Sequence, residues 1–246
     1  MKITFKIHFL FFIVSFLCFM TGLFKDFVVF TSIIFIHELG HIVTGLLFKW
    51  KIDKVIIFPF GGLTIFNQKI NTSSLEEFII AIAGIIFQTI FLLLLNTNNY
   101  LFIKYYKIIL FFNILPIYPL DGSKVLNIFL NKIFPFKKSY ILTILISLIT
   151  IFALFIVMID NFNLLLFLSI MLLLTKLFNY YKDIDIIWNK FLFERYLYKI
   201  KYKKIKKINN ISKMFKEKTH VLFINNNIIK EKDFLSKMFD RRKNLW

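Results

Sequence analysis

Apolar runs of bilayer length recur along this chain, and they restrict its fold more than any other feature. They cover positions 7–23, 27–48, 71–95, 140–159 and 163–179, with a further run from 101 that breaks at 113–124. A helix needs about 20 mostly apolar residues to cross the hydrocarbon core of a membrane. Inside lipid, a backbone can satisfy its own hydrogen bonds only as a helix or a closed barrel. With 58% of 246 residues hydrophobic and a mean hydropathy of +0.71, the chain is expected to be an all-α polytopic membrane protein. The runs correspond to about six transmembrane helices.

The formal charge of +18 would suit a nucleic-acid binder, but its distribution points elsewhere. Positions 181–246 hold 18 Lys and Arg against 7 Asp and Glu, whereas positions 1–180 hold 14 against 7. Basic residues beside membrane spans follow the positive-inside rule and meet anionic lipid head groups. The chain is therefore expected to divide into a transmembrane domain, 1–180, and a basic cytosolic tail, 181–246, with the lipid bilayer around it and no nucleic acid as partner. Lys2 and Lys6 put the N-terminus in the cytosol, and an even number of spans returns the C-terminus there. The abundance of Lys, Ile, Asn and Phe suits an AT-rich bacterial genome, so a multi-pass place in a bacterial cell membrane is expected. Cys18 is the single cysteine, which excludes an internal disulfide framework. The first apolar run lacks a small-residue cleavage site and reads as a retained span.

Within the second run stand His37-Glu38-Leu39-Gly40-His41. On a helix, residues i and i+4 share a face, so the imidazoles of His37 and His41 can converge on one metal ion, with Glu38 beside them as general base. Two histidines and a carboxylate in lipid are costly unless paired or metal-bound, which marks the cluster as a functional site. The pattern is that of a zinc hydrolase, in which Zn²⁺ activates a water for attack on a carbonyl. A third ligand must come from elsewhere. Pro116 and Pro119 break the fourth span, and Asp121 follows at membrane depth, where an unwound carboxylate is tolerated only against a protein cavity. Asp121 is thus expected to complete the set with His37 and His41; the alternative is that it caps a helix starting at Gly122. Glu76 and Glu77 are further carboxylates, but Ser73 and Glu76 have the spacing of a capping box, so capping is their expected role.

Between the second and third spans, positions 55–66 form two β-rich runs around Pro59-Phe60-Gly61-Gly62, the pattern of a small re-entrant or interfacial β-hairpin. An apolar hairpin beside a membrane has to satisfy its edges against protein or peptide. It can serve as an edge that adds an extended substrate strand, or as a structural plug. In the third span, Ala81, Ala83 and Gly84 let another helix come close, and Gln88 requires a polar partner. The tail opens with an aromatic and basic stretch, 188–207, expected as an amphipathic helix on the inner membrane surface. A small hairpin around Asn225-Asn226-Asn227 and a short helix follow, and His220 is expected at the surface.

His37-Glu38-Leu39-Gly40-His41, Phe58-Pro59-Phe60-Gly61-Gly62 and the run from Asn113 through Pro119-Leu120-Asp121-Gly122 together resemble a site-2 protease. These are intramembrane zinc metalloproteases. Within that family the chain is most similar to the stage IV sporulation protein FB branch, which processes a membrane-associated sigma-factor precursor. The resemblance covers positions 1–180 and implies that His37, His41 and Asp121 bind zinc and that Glu38 is the catalytic base. It also implies that the hairpin lies near the substrate, with Phe60, Gly61, Gly62, Gln88 and Asn113 as substrate-binding residues. The chain departs from the family pattern where Ile85 follows Gly84, a place that often holds Pro, and where Ser123 follows Gly122 in place of a second Gly. Its tail is too short for the pair of nucleotide-sensing motifs that the sporulation branch carries.

The expected activity is proteolysis of a peptide bond in or near a membrane segment of a substrate protein, such as a sigma-factor precursor or another membrane-tethered regulator. This leaves room for a regulatory membrane partner or a homo-oligomer. A metal-binding membrane transporter or channel could use the same ligands, but it has no need of Glu38, and the sequence has no evident inverted repeat. An inactive scaffold needs none of the four residues. No Gly-x-Ser-x-Gly element supports a serine hydrolase.

Overall fold

The computed structural model describes residues 4–58, 61–67, 69–95, 99–160, 164–198, 200–224 and 227–243. In chain order these form strand β1 (Thr4–Ile7), helices α1 (Phe9–Met20) and α2 (Phe24–Leu47), strands β2 (Ile52–Phe58) and β3 (Gly61–Phe66), and helices α3 (Ser74–Leu95) and α4 (Tyr100–Ile114). Helices α5 (Asp121–Ile133), α6 (Phe136–Asp160) and α7 (Leu164–Tyr198) follow, then strands β4 (Ile205–Ile208), β5 (Thr219–Ile224) and β6 (Asn227–Lys230), and helix α8 (Glu231–Lys243). Among the described residues, α2, α3 and Phe136–Ile159 of α6 are long and apolar enough to cross a membrane, by length and composition. The other expected spans differ from these in length: α1 has 12 residues, α4 has 15 and α7 has 35. The expected turn residues Pro59, Phe60, Asn225 and Asn226 lie outside the described residues.

The chain forms two compact units, one of 1–68, 75–115 and 120–122, the other of 69–74, 116–119 and 123–246. In the first, the expected hairpin is present, with Ile56 opposite Leu63 and Ile57 opposite Gly62. It also gains a strand. β1 pairs in parallel with β2, from Thr4 against Lys54 to Ile7 against Ile57, where a helical span had been expected to begin. The physical reason is that lipid cannot satisfy the edge groups of β2, so the nearest extended segment of the chain does. The resulting order, β1-β2-β3, leaves β3 as an edge strand among the described residues. Helix α2 packs on α4 through Val29, Ile33, Ile34 and Ile109. The Tyr105 hydroxyl donates to Asp26 at 2.6 Å, which ties the first turn of α2 to α4.

In the second unit, β4 runs parallel to β5, and β5 antiparallel to β6. Its core joins Phe136 of α6, Trp188, Phe191 and Leu192 of α7, and Ile208, Met214, Leu222 and Leu235 of the tail. The rings of Phe136 and Phe191 stack with centroids 4.1 Å apart. This corrects the amphipathic surface helix expected at 188–207. Residues 188–198 continue α7, and their aromatic side faces protein, because the sheet and α8 that follow supply enough apolar surface to cover it. The expected tail hairpin and short helix are present as β5, β6 and α8.

His220 is likewise corrected from surface to core, at 1% exposure. It lies on the inner face of β5, where its Nδ1 is 3.0 Å from Glu231 Oε2 and its Nε2 accepts the Phe215 N–H at 3.0 Å. Arg195 donates to the other oxygen of Glu231 at 2.7 Å, to the Asn71 side chain, and to the carbonyls of Phe215, Lys216 and Lys218. Its neighbour Glu194 accepts the backbone N–H groups of Ile70 and Asn71 at 3.0 and 3.1 Å.

Candidate metal centre

Helix α2 carries His37 and His41 one turn apart, at 2% and 4% exposure, with ring centroids 4.8 Å apart. The chain breaks after Ile114, and α5 begins at Asp121 itself, not at Gly122 as a pure capping role would have it. Gly122 makes this turn feasible, since a Cβ there would run into the carbonyls of Ile114 and Leu115 at the end of α4. Asp121 is thereby brought to the two histidines. Its Oδ2 lies 2.9 Å from the Nε2 of each, and the two Nε2 atoms are 3.1 Å apart.

The outer ring nitrogens decide the chemistry of this cluster. His41 Nδ1 lies 2.7 Å from the Ile80 carbonyl, and His37 Nδ1 lies 2.9 Å from the amide oxygen of Gln88. Both partners accept hydrogen bonds, so each Nδ1 holds the proton and each Nε2 presents a lone pair. Three acceptors, two imidazole nitrogens and one carboxylate oxygen, therefore face one another at 2.9–3.1 Å. Such a set is repulsive unless a cation is shared among its members. For metal–ligand bonds of about 2.0 Å, the edge of a tetrahedron is about 3.3 Å, close to these separations. Gly84 of α3 backs the same space: a Cβ there would stand 2.5 Å from the Nε2 of both histidines. Two imidazoles and a carboxylate are the donor set of a zinc site that keeps a position for water or substrate. The residues present fit a Zn²⁺ ion.

Glu38 is held from the sheet. Its Oε2 accepts from the Thr64 hydroxyl of β3 at 2.8 Å. Gly62, two residues earlier on the same face of the strand, lies so near that a Cβ would be 2.5 Å from Glu38 Cδ and 2.8 Å from Oε1. Only glycine lets β3 rest directly on this carboxylate. Thr64 was missed by sequence reasoning; its position two residues after Gly62 puts it on the same face of the strand but does not say what that face meets.

The remaining residues singled out from the sequence are placed as follows. Phe60 lies outside the described residues, and Gly61 pairs with Phe58 where β3 begins. Gln88, 1% exposed, finds its polar partner in His37, while its Nε2 is buried with no hydrogen-bond partner among the described residues. Asn113 donates to the Ile109 carbonyl of its own helix at 3.0 Å. Glu76 lies in the first turn of α3, and its Oε2 accepts from the Trp50 indole at 3.1 Å.

Comparison with known proteins gives the family and the fold. Residues 26–102 match the profile of Peptidase family M50. The chain is 30% identical over 203 residues to stage IV sporulation protein FB of Bacillus subtilis, which covers 77% of this chain and 70% of that protein. It is 28% identical over 122 residues to a zinc metalloprotease of Methanocaldococcus jannaschii, covering 45% of this chain and 35% of that protein. Its fold is similar to the solved structure of a site-2 protease from Methanocaldococcus jannaschii, with a TM-score of 0.58 at 21% identity, over 73% of this chain and 91% of that one.

Proposed function

The chain belongs to peptidase family M50, the site-2 proteases, and is an intramembrane zinc metalloprotease; within that activity we propose that His37, His41 and Asp121 hold the zinc and that Glu38 is the general base. The observation that carries this assignment is the convergence of His37 Nε2, His41 Nε2 and Asp121 Oδ2 as three acceptors, with a carboxylate oxygen of Glu38 within 4.8 Å of the two histidines. Zn²⁺ bound there supplies Lewis-acid polarisation of the scissile carbonyl and makes water a nucleophile near neutral pH. Glu38 removes the proton from that water as its oxygen bonds to the carbonyl carbon. It then delivers the proton to the amide nitrogen as the C–N bond breaks. The Thr64 hydrogen bond fixes Oε2 of Glu38 and leaves the transfer to Oε1.

The open edge of β3 supports substrate binding by strand addition, with Gly61 and Gly62 bringing the extended peptide beside Glu38. The substrate helix unwinds first, because a helical carbonyl is shielded and already hydrogen-bonded. Gln88 supports catalysis through His37, and the nitrogen of the same amide, Nε2, is a donor suited to a substrate carbonyl. Phe60 and Asn113 complete the proposed contacts. The substrate class is a membrane-tethered regulator such as a sigma-factor precursor, a reading supported by the sporulation name of the Bacillus subtilis relative. The basic residues of 181–246 support a bacterial cell membrane location with both termini in the cytosol.

The test is co-expression with a membrane-tethered sigma-factor precursor, comparing the wild type with Glu38→Gln. Cleavage should fall by about 10²-fold or more while zinc content stays at the wild-type level. Undiminished cleavage by the variant would remove Glu38 from the role of base.

A further inference from the structure

The second unit contains an open cleft of about 630 Å³ that none of the metal-centre residues lines. Five lysines line it: Lys137 and Lys138 in the first turn of α6, and Lys206, Lys207 and Lys213 in the tail. None of its lining residues is acidic. Solvated lysines on a basic protein ordinarily spread over convex surface, where repulsion is least. Here three separate chain segments bring them to one concavity.

The lysines are mounted on buried neighbours. Phe136, Met214 and Ile208, which adjoin Lys137, Lys213 and Lys207 in the chain, are exposed by 1%, 0% and 4%. The Phe136 N–H donates to the Met214 carbonyl at 2.8 Å, locking the start of α6 to the segment after Lys213. Among the described contacts, the negative charge nearest to hand is modest. Asp185, a largely exposed carboxylate, accepts from Lys137 at 2.7 Å. Lys206 stands 3.8 Å over the ring of Phe215, with Lys218 at 4.3 Å from the same ring. Burial lowers the Lys218 pKa, and the charges of Lys206 and Lys204 lower it further, which reports a positive potential on this side of the tail. A concave, low-dielectric wall of one sign focuses that potential on an incoming anion.

Position adds a second constraint. Phe136–Ile159 is of membrane-crossing length, so Lys137 and Lys138 mark the boundary between lipid and water. The N–H groups of the first turn of α6 add partial positive charge at the same place. Ile141, one turn further along α6, and Phe215 give the cleft an apolar portion beside its cations. Basic pockets of this kind at the ends of spans match the head group and glycerol region of an anionic lipid better than a bare ion.

We propose that this cleft is a binding site for a phosphate ester, and that the head group of an anionic phospholipid is the source that its place at the end of α6 presents to it. An occupant bridges the first turn of α6 and the β4 segment, tying the tail to the bilayer surface. The proposal does not depend on the protease assignment.

The full-length, zinc-loaded protein in a neutral detergent is titrated by calorimetry with short-chain phosphatidylglycerol, short-chain phosphatidylcholine and inorganic pyrophosphate. Phosphatidylglycerol should bind saturably and about tenfold or more tighter than phosphatidylcholine, and Lys206→Gln/Lys207→Gln/Lys213→Gln should remove that margin. Lys232→Gln/Lys237→Gln, which removes exposed charges from α8, should leave binding unchanged. Should the triple variant fold poorly, Lys213→Glu at an exposed position reads the same loss. Tight pyrophosphate binding lost in the same variants would keep the phosphate site and move its source from lipid to a free anion. If neither phosphate probe binds tighter than phosphatidylcholine, or if the α8 control weakens as much as the triple variant, the site does not exist.

Discussion

Two sheets of the same connectivity, each a parallel pair followed by a hairpin, stand beside two buried histidine and carboxylate clusters of opposite character. In the tail, His220 gives a proton at Nδ1 to Glu231 and receives one at Nε2 from Phe215, and Arg195 supplies the balancing charge. In the metal centre, Ile80 and Gln88 occupy the outer nitrogens, so His37, His41 and Asp121 present only acceptors to one another. The tail cluster is complete within the chain, whereas the other gathers three ligand atoms that suit a shared cation. The same residue types make a strut where donors match acceptors and a candidate metal site where acceptors are in excess.

This contrast can be broken most forcefully at Asp121. Asp121→Ala should abolish zinc retention and cleavage together, while protease protection of the tail stays at the wild-type level; zinc measured at full stoichiometry would remove Asp121 from the ligand set. The matching experiment in the tail is Arg195→Ala, which leaves Glu231 without its cation. Breaking a buried pair from one side costs about 3–5 kcal/mol, so amide protection of β4, β5 and α8 should collapse. An unchanged exchange pattern would show that the Arg195 network is not what holds the tail.

Smaller effects sharpen the comparison. Gln88→Leu takes away the acceptor that fixes the His37 tautomer and should weaken zinc affinity about 10–100-fold, read by competition with a chelator. The last effect is on pH. Burial lowers the His220 pKa below its ordinary 6.5, so the unfolded tail binds the extra proton. The contribution of His220 is fully present above its unfolded pKa of about 6.5 and is lost as the pH falls below that value through the lower folded pKa. For Glu231, burial acts upward, but the hydrogen bonds from His220 and Arg195 bring its pKa below 4.5, so its contribution fades only at lower pH. Protease protection of the tail should therefore decline as the pH falls below about 6.5, and His220→Gln should flatten that decline. A variant with the wild-type slope would assign it to another group.

Much of the metal centre was legible because its signals are local. The spacing of His37 and His41 is a helical period, and the prolines before Asp121 announce a break whose carboxylate has to face protein. Thr64 left only a faint mark, since an alternate-face position on a strand says nothing of what the strand rests on. The β1 pairing joins residues 50 positions apart, at Thr4 and Lys54, and no local pattern encodes that register. Trp188 and Phe191 read as an interfacial helix because an aromatic and basic pattern is the same whether lipid or protein covers it.

Membrane class and the candidate set of His37, His41, Asp121 and Glu38 could be read from the sequence alone, because the cost of polar groups in lipid and the period of a helix are properties of the chain itself. The tertiary structure decided which ring nitrogens carry protons, what steadies Glu38, why His220 is a strut, and where five lysines meet. Each of those depends on partners that distant segments supply, and only folding brings the partners within hydrogen-bond reach.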